Sequence, residues 1–402
     1  MGLSYSYDTS GHRLYSNNTT ALNASFLVES YSWDLEGNYK SRFSSGASGG
    51  YAANTSFIYD GFGRLKQEVG TPAPQSFTYD DNSNRLSNGA KSYTYLPNTN
   101  RLYSRDAVLP TLDAAGNTLN NGLTSGLGQT YTWDSFGRLL NVTTATGTTQ
   151  YQYNYLNQRV SKTLSNGSKT LYHYDHEGRL FLETSSTGVM QAWYLYHDSG
   201  DIAAIIYGAN SPYNAAAQEQ VLYVHSDHLG TPRIAFDAAK RVVWRWESDA
   251  FGTTLPLQDP DNDGKATVIN LRFPGQYYDA ETKLHYNWNR YYDPQLGRYI
   301  SSDPIGLDGG LNTFGYVGQS PLMGIDPDGL NPYAGRAAGE VANALLNSAL
   351  LYYTGTTLGG VIYDATHSDF LVLEQAKLLE IQIMLATSMA DIQGNRLNNR
   401  LT

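Results

Sequence analysis

The sequence predicts a mostly β protein in which one hairpin is used again and again, and three observations carry that prediction. Tyrosine dominates the composition, with 33 Tyr against 12 Phe and 6 Trp, alongside 39 Gly and only 16% charged residues in 402. Such a balance suits pleated, half-buried strands joined by turns. A ten-residue word also recurs: "YSYDTSGHRL" from Tyr5, "YSWDLEGNYK" from Tyr31, "FIYDGFGRLK" from Phe57, "FTYDDNSNRL" from Phe77 and "YTYLPNTNRL" from Tyr93. It continues as a degraded "LDAAGNTL" from Leu112, "YTWDSFGRLL" from Tyr131, "YQYNYLNQRV" from Tyr151, "YHYDHEGRLF" from Tyr172 and "YLYHDSGDIA" from Tyr194. The spacing, roughly 16 to 26 residues, is one supersecondary unit per repeat. Finally, the turn is written into the word. Asp bonds the backbone two residues on, and a Gly three residues after it accepts positive φ, as at Asp60 and Gly63 or Asp134 and Gly137.

Within each word, aromatic-x-aromatic sets two rings on one face of a strand, because side chains alternate with period two. Arg-Leu then opens the return strand, with Leu inward and Arg capping the turn or lying over a ring. One hairpin alone is marginal, whereas stacked hairpins bury a continuous aromatic face. Residues 1–222 form this repeat region.

Two later stretches resemble metal sites. His225 and His228 flank Asp227 in "HSDHLGTPR", but residues three apart on a strand face opposite ways and no third ligand is evident. The stretch reads as a hairpin turning through "DHLGTPR". In "DPDNDGK", Asp259, Asp261 and Asp263 precede Gly264 as in a calcium loop, yet the twelfth position is Asn270 where a bidentate Glu is expected. A solvated acidic turn is the competing reading, and no cofactor or metal is assigned.

A net charge of −10 without any basic run argues against nucleic acid as a partner of the repeats. The absence of Cys excludes disulfides, thiolate metal sites and a cysteine nucleophile. "GLSYSYDTSGHRL" after Met1 lacks the basic start and apolar run of a signal peptide, so this segment is not expected to direct export.

Asp-Pro-x-Gly-Leu occurs twice, at Asp303–Leu307 and Asp326–Leu330. Taken alone, each is a type I turn, with Asp accepting backbone bonds, Pro fixing φ and Gly closing. Two carboxylates brought together in a dry site behave differently: they cannot both ionise, so one keeps a proton while the other activates water. The residues by themselves leave both readings open.

The Tyr-Asp words, "YVHSDHLGTPRIAFD" from Tyr223, "LRFPGQYYDAETKLHYNWNRYYDPQLGRYISSDPIGL" from Leu271 and the final "DPDGL" resemble the Rhs/YD-repeat family. Residues 223–330 are similar to the Rhs-associated core of bacterial polymorphic toxins, a group related to the C component of Tc toxins and to teneurins. The resemblance implies a β-sheet strip spiralling into a shell, whole or partial, that encloses the chain's own C-terminal tail as cargo. It further implies an exported or cell-surface bacterial protein, served by secretion machinery and countered by an immunity protein. In this family the two boxes form a self-cleaving aspartate site. Carried over, Asp303 and Asp326 are the carboxylates and the Leu330–Asn331 bond is cut. Tc relatives have Arg directly before the first Asp, where this chain has Ser302, so Arg298 or Arg290 must supply the guanidinium, or cleavage is slow; Arg298 is taken as the catalytic candidate, and Asp328 is read as turn filler. Competing readings are a non-cleaving surface or carbohydrate-binding scaffold and a fragment with an inactive or membrane-active tail.

After Leu330 the words stop. "AAGEVANALLNSALLYY" and "DFLVLEQAKLLEIQIMLATSMADI" read as two helices of a tail spanning 331–402, the second with Leu371, Leu378, Ile381, Leu385, Met389 and Ile392 at helical spacing behind Ser368 or Asp369. Gly355 and Gly359 stand as in membrane-helix packing motifs, but Asn343, Asn347 and several Thr dilute the apolar run, and no spanning helix is assigned.

Overall fold

The Asp-x-x-Gly-Arg turns close by the same local chemistry. At Asp60 the carboxylate accepts the Phe62 and Arg64 amides at 2.9 and 3.0 Å through Oδ1 and the Arg64 Nε at 2.7 Å through Oδ2. Gly63, at φ +75°, then returns its N–H to the Asp60 carbonyl. Asp134 with Arg138 and Asp175 with Arg179 repeat this arrangement. A register shift beside the turn, such as that between Ile58 and Tyr59, lets the rings stay on one face.

The computed structural model describes residues 2–7, 13–19, 25–46, 53–70, 74–330 (apart from 125, 198, 216 and 217) and 332–334. The chain divides into two compact units, Met1–Ala344 and Leu345–Thr402, and the described residues belong to the first. Sequential hairpins build a 10-stranded antiparallel sheet from Gly2–Tyr7 to Leu102–Arg105 and a 13-stranded one from Thr111–Leu112 to Val242–Arg245. The second sheet runs through residue 222 without a break, since strand Gln220–Ser226 pairs with Ile202–Tyr207 before it and Pro232–Phe236 after it. The remaining strands form a four-stranded sheet (Tyr277–Asp279, Leu284–Asn287, Arg290–Asp293, Arg298–Tyr299) and a pair, Gly324–Ile325 with Tyr333–Ala334. The two tail helices expected beyond residue 337 lie outside the described residues. Among those described, no helix is long and apolar enough to cross a membrane.

Among the described residues the first aromatic of the word is core: Phe57, Phe77, Tyr93, Tyr131, Tyr151, Tyr172 and Tyr194 are all buried. The second aromatic staples its hairpin to the one before. The hydroxyls of Tyr79, Tyr153, Tyr174 and Tyr196 donate to the carbonyls of Leu65, Leu139, Arg159 and Leu180 at 2.6 to 2.8 Å. This accounts for Tyr, rather than Phe, at that position.

The rule that Leu points inward holds at Leu65 and Leu139 but needs correction in two words. In "DNSNRL" and "NYLNQRV" the inward position falls on Arg85 and Arg159, while Leu86 is exposed. Both guanidiniums lie on rings instead. Arg85 lies over Phe77 and Phe251; Arg159 faces Tyr151, Tyr172, Tyr277, Tyr286 and Tyr291 and pairs with buried Asp279.

The aromatic faces are covered by the chain's own later residues. Tyr131, Leu139, Tyr151 and Tyr172 share one core with Tyr277, Leu284, Tyr286 and Tyr291 of the four-stranded sheet. Tyr39, Phe57, Leu65 and Phe77 share another with Ala250, Phe251 and Leu322. The Asp-Pro boxes are thereby carried against the repeats.

Candidate functional site

The two Asp-Pro boxes come together. One nitrogen of Arg290, Nη2, lies 2.9 Å from Asp303 Oδ2 and 3.2 Å from Asp326 Oδ2, with all three side chains buried. Arg290 also donates through Nε to the Gly329 carbonyl and through Nη1 to that of Thr313 at 3.2 Å. Its guanidinium stacks 3.7 Å above the Tyr299 ring. The Tyr299 hydroxyl donates to Asp326 Oδ2 at 2.7 Å and accepts from Asn287 Nδ2, also at 2.7 Å.

The expected scissile segment lies at this pair. The Leu330 amide donates to Asp326 Oδ1 at 3.0 Å and to Asp328 Oδ1 at 3.1 Å. A Cβ placed on Gly309 would meet Asp303 Oδ2 at 2.4 Å and the Leu330 carbonyl oxygen at 2.8 Å, so both oxygens border the same glycine. Gly329 has φ +72° and passes so near the Asn287 carbonyl that a side chain there would meet it at 2.4 Å. Beyond the site, Tyr333 pairs with Ile325, which places Leu330 in the loop of a short hairpin. Asn331, the residue expected to follow the cut, lies outside the described residues.

Burial sets the electrostatics. It pushes the Asp326 carboxyl up to about 6, against the pull of Arg290 and the Tyr299 hydroxyl. It also raises Asp303, whose charge is favoured by Arg290 and by the Ile305 amide. The Tyr299 hydroxyl is driven well above its ordinary range by burial and the adjacent Asp326. The arrangement is a buried pair with one cation between two carboxyls, which favours a single shared proton.

The expectation that Arg298 replaces the arginine missing at Ser302 is corrected here: the fold brings Arg290 to the pair instead. Arg298 is turned away: it donates to the Asn100 carbonyl and lies against the rings of Tyr95 and Phe314. The reason is register. Arg298, on the edge strand, pairs with Asp293 beside the 294–297 turn, whereas Arg290 lies at the opposite end of Asp293's strand and pairs with Asn287, where the hairpin meets the second box. Ser302 bonds the Thr313 hydroxyl at 2.9 Å, and Asp328 serves its turn, its carbonyl accepting both Asn289 nitrogens. Sequence reasoning missed Tyr299, Asn287 and Gly309. Tyr299 and Asn287 read as ordinary strand residues, and Gly309 reads as one more loop glycine.

The histidine candidates are engaged within the fold. Asp227 Oδ1 accepts the Leu229 and Thr231 amides and Oδ2 pairs with Arg233, while His228 bonds the Leu322 carbonyl and stacks on Tyr39. Asp259, Asp261 and Asp263 do converge, with ligand atoms within 4.8 Å of one another. Their neighbouring charge is Arg241, 3.2 Å from Asp261 and 3.5 Å from Asp263, and Asp259 accepts the Asp263 and Gly264 amides. Asn270 is committed to the Tyr277 hydroxyl instead.

The Teneurin YD-shell family matches residues 3–309. Toxin protein Tse5 of Pseudomonas aeruginosa is 38% identical over 116 residues, covering 29% of this chain and 8% of that protein. Double-stranded DNA deaminase toxin A of Burkholderia cenocepacia is 26% identical over 337 residues, covering 77% of this chain and 23% of that protein. The crystal structure of TcdB2-TccC3-TEV is similar with a TM-score of 0.56 at 20% identity, over 81% of this chain and 19% of that one, a likeness of fold. The chain thus spans less than a quarter of the length of each.

Proposed function

This chain belongs to the teneurin YD-shell family, and from that premise we propose that it acts as an encapsulating shell of Rhs type that frees its own C-terminal tail. Release proceeds by hydrolysis of the Leu330–Asn331 bond. The observation that carries this reading is the Asp303–Arg290–Asp326 bridge set against Leu330.

The chemistry follows from the placement of the groups. Asp326, with three donors favouring its charge, takes a proton from water as the hydroxide attacks the Leu330 carbonyl carbon. Asp303, whose Oδ2 borders the same glycine as the carbonyl oxygen, gives that oxygen its proton and takes it back as the tetrahedral intermediate collapses. The C–N bond breaks, the Asn331 nitrogen receives the proton held by Asp326, and Leu330 is left as a carboxylic acid. Arg290 keeps one carboxyl ionised while the other stays neutral.

The tail is the cargo, the protein is exported, and an immunity protein and secretion machinery are its expected partners. The matches to Tse5 and the deaminase toxin favour this assignment. A carbohydrate-binding scaffold would need open tyrosine faces, and the first rings of the described words, from Phe57 to Tyr194, are buried instead.

To test the reading, residues 1–402 are expressed and weighed by intact mass spectrometry. The expected result is two species divided after Leu330, with Asp303→Asn and Asp326→Asn each remaining full length. A wild-type chain that stays intact overturns the proposal.

A further inference from the structure

Three consecutive hairpins depart from the Asp-x-x-Gly-Arg word. In them Asn84, Asn100 and Asn117 stand four residues after Asp80, Leu96 and Asp113, where other repeats have Arg64, Arg138 or Arg179. We propose that this departure has a function: Asn84 and Asn100 form a ladder along the turn edge that seats the 303–313 excursion and so positions Asp303 for the cut. The proposal rests on the self-cleavage reading above.

In the arginine hairpins the guanidinium closes its own turn on Asp Oδ2 and extends along the repeats. A guanidinium is donor-only, whereas an amide both donates and accepts. Asn84 uses both capacities. Its Nδ2 donates to Asp80 Oδ2 and to Asn100 Oδ1, each at 2.9 Å, and its Oδ1 accepts from Asn312 Nδ2 at 3.0 Å. Asn312 Nδ2 also reaches the Asn82 carbonyl at 3.1 Å, and Asn100 Nδ2 donates to the Leu311 carbonyl at 2.8 Å. The third hairpin adds a rung through its backbone: after Asn117, the Thr118 amide and hydroxyl both bond the Ile300 carbonyl, at 3.0 and 2.7 Å.

The ladder ends at the reacting groups. One residue beyond Asn312, the Thr313 carbonyl accepts the Asp303 amide at 2.7 Å and Arg290 Nη1 at 3.2 Å. Hydrogen bonds to Asn312, and from Asp303 and Arg290 to the next residue's carbonyl, therefore tie the repeat edge to the carboxylate pair through one peptide link. The same chain supplies a control. Asn38 stands four after Asp34 and bonds Asp34 Oδ2 at 2.9 Å in the same way, but it faces no part of the excursion. Asparagine is suited to the turn in all these hairpins; only at Asn84 and Asn100 does it also hold residues 311 and 312.

The test uses the full chain, unfolded in urea and refolded, with release followed by intact mass. Asn84→Arg restores the residue of the Asp60 and Asp134 turns, so the hairpin keeps an Asp partner. We expect release to slow at least tenfold, with the thermal midpoint and the pH at half-maximal rate unchanged. Asn312→Ala, which removes the rung from the excursion side, should slow release similarly, and Asn38→Arg should cut at the wild-type rate. Adding Asn312→Asp to Asn84→Arg supplies an acceptor for the new guanidinium and should recover the rate. If Asn84→Arg and Asn312→Ala both cut like wild type, or no differently from Asn38→Arg, the ladder proposal is wrong while self-cleavage stands. A wild-type chain that never cuts removes both.

Discussion

Replacing Tyr299 by Phe removes one hydroxyl from the site and leaves the ring that stacks under Arg290. That hydroxyl donates to Asp326 Oδ2 at 2.7 Å and is one of the groups that hold the Asp326 carboxyl down at about 6 against burial. A hydrogen bond to a charged group contributes roughly 1.5–3 kcal/mol. At about 1.4 kcal/mol per pKa unit, its loss carries Asp326 from about 6 to roughly 7–8. The direction is fixed, because the hydroxyl favours the ionised carboxylate and its removal favours the neutral acid. Asp326 acts as base only when ionised, so the acid limb of the cleavage profile moves to higher pH. At pH 6 release should fall roughly tenfold, and at pH 9 it should approach the wild-type rate. The assay is refolding from urea into buffers from pH 5 to 9, with intact mass sampled over time. The reasoning would be refuted by an acid limb that stays where it is in wild type, or by the same fractional loss at every pH, which would mark a packing defect.

Gly309→Ala puts a methyl 2.4 Å from Asp303 Oδ2 and 2.8 Å from the Leu330 oxygen. Release should drop at least a hundredfold with an unchanged circular dichroism spectrum, and a normal rate would mean that these oxygens need not approach. Arg159→Met leaves Asp279 buried with only Lys162 beside it, at 3.0 Å. Urea denaturation should report a loss of about 3–5 kcal/mol. Glu68 is pushed up to about 8 by burial, accepting the Ala250 amide beside Asp249 with Arg42 and Arg233 nearby. Because this folded-state value lies above the unfolded one, Glu68 contributes stability that is complete at acid pH and is lost as pH rises towards about 8. Glu68→Gln should flatten that decline in thermal scans between pH 5 and 9, and an unaltered slope would place the effect elsewhere.

The turns were legible because their chemistry is local: Asp60, Gly63 and Arg64 lie within five residues and complete one another. The tyrosine staples were not, since each donates to a carbonyl 14 to 16 residues back, as Tyr79 does to Leu65 and Tyr196 to Leu180. Period-two alternation distinguishes faces but says nothing of what lies opposite a hydroxyl. Arg85 and Arg159 have another cause: the inward place is the fifth after the turn's Asp or Asn in every one of these hairpins, as at Leu65 and Leu139, and in these two words the Arg falls there because it comes one residue later. At the site, the pairing of Asp303 with Asp326 followed from the repeated box and its family resemblance. The choice of Arg290 over Arg298 did not, because the two are only eight residues apart and sheet register alone separates them.

The two carboxylates are delivered by different parts of the fold, and this bears on when the site exists. Asp303 is held by the excursion whose residues 311 and 312 rest on Asn100 and Asn84, in the first sheet. Asp326 is held by Asn287, Arg290 and Tyr299 of the four-stranded sheet, and that sheet shares its core with Tyr131, Tyr151 and Tyr172 of the second. The Arg290 bridge therefore forms only when hairpins from both large sheets are stacked and the later strands lie against them. An unfolded chain holds the same two aspartates in water, where each ionises in the ordinary carboxylate range and neither retains a proton to donate at neutral pH. Burial is what raises Asp326 to about 6 and lifts Asp303 with it. Under the proposed chemistry, then, the two carboxyls and the Leu330 bond meet only after the repeats are assembled, and release waits on folding without any separate trigger.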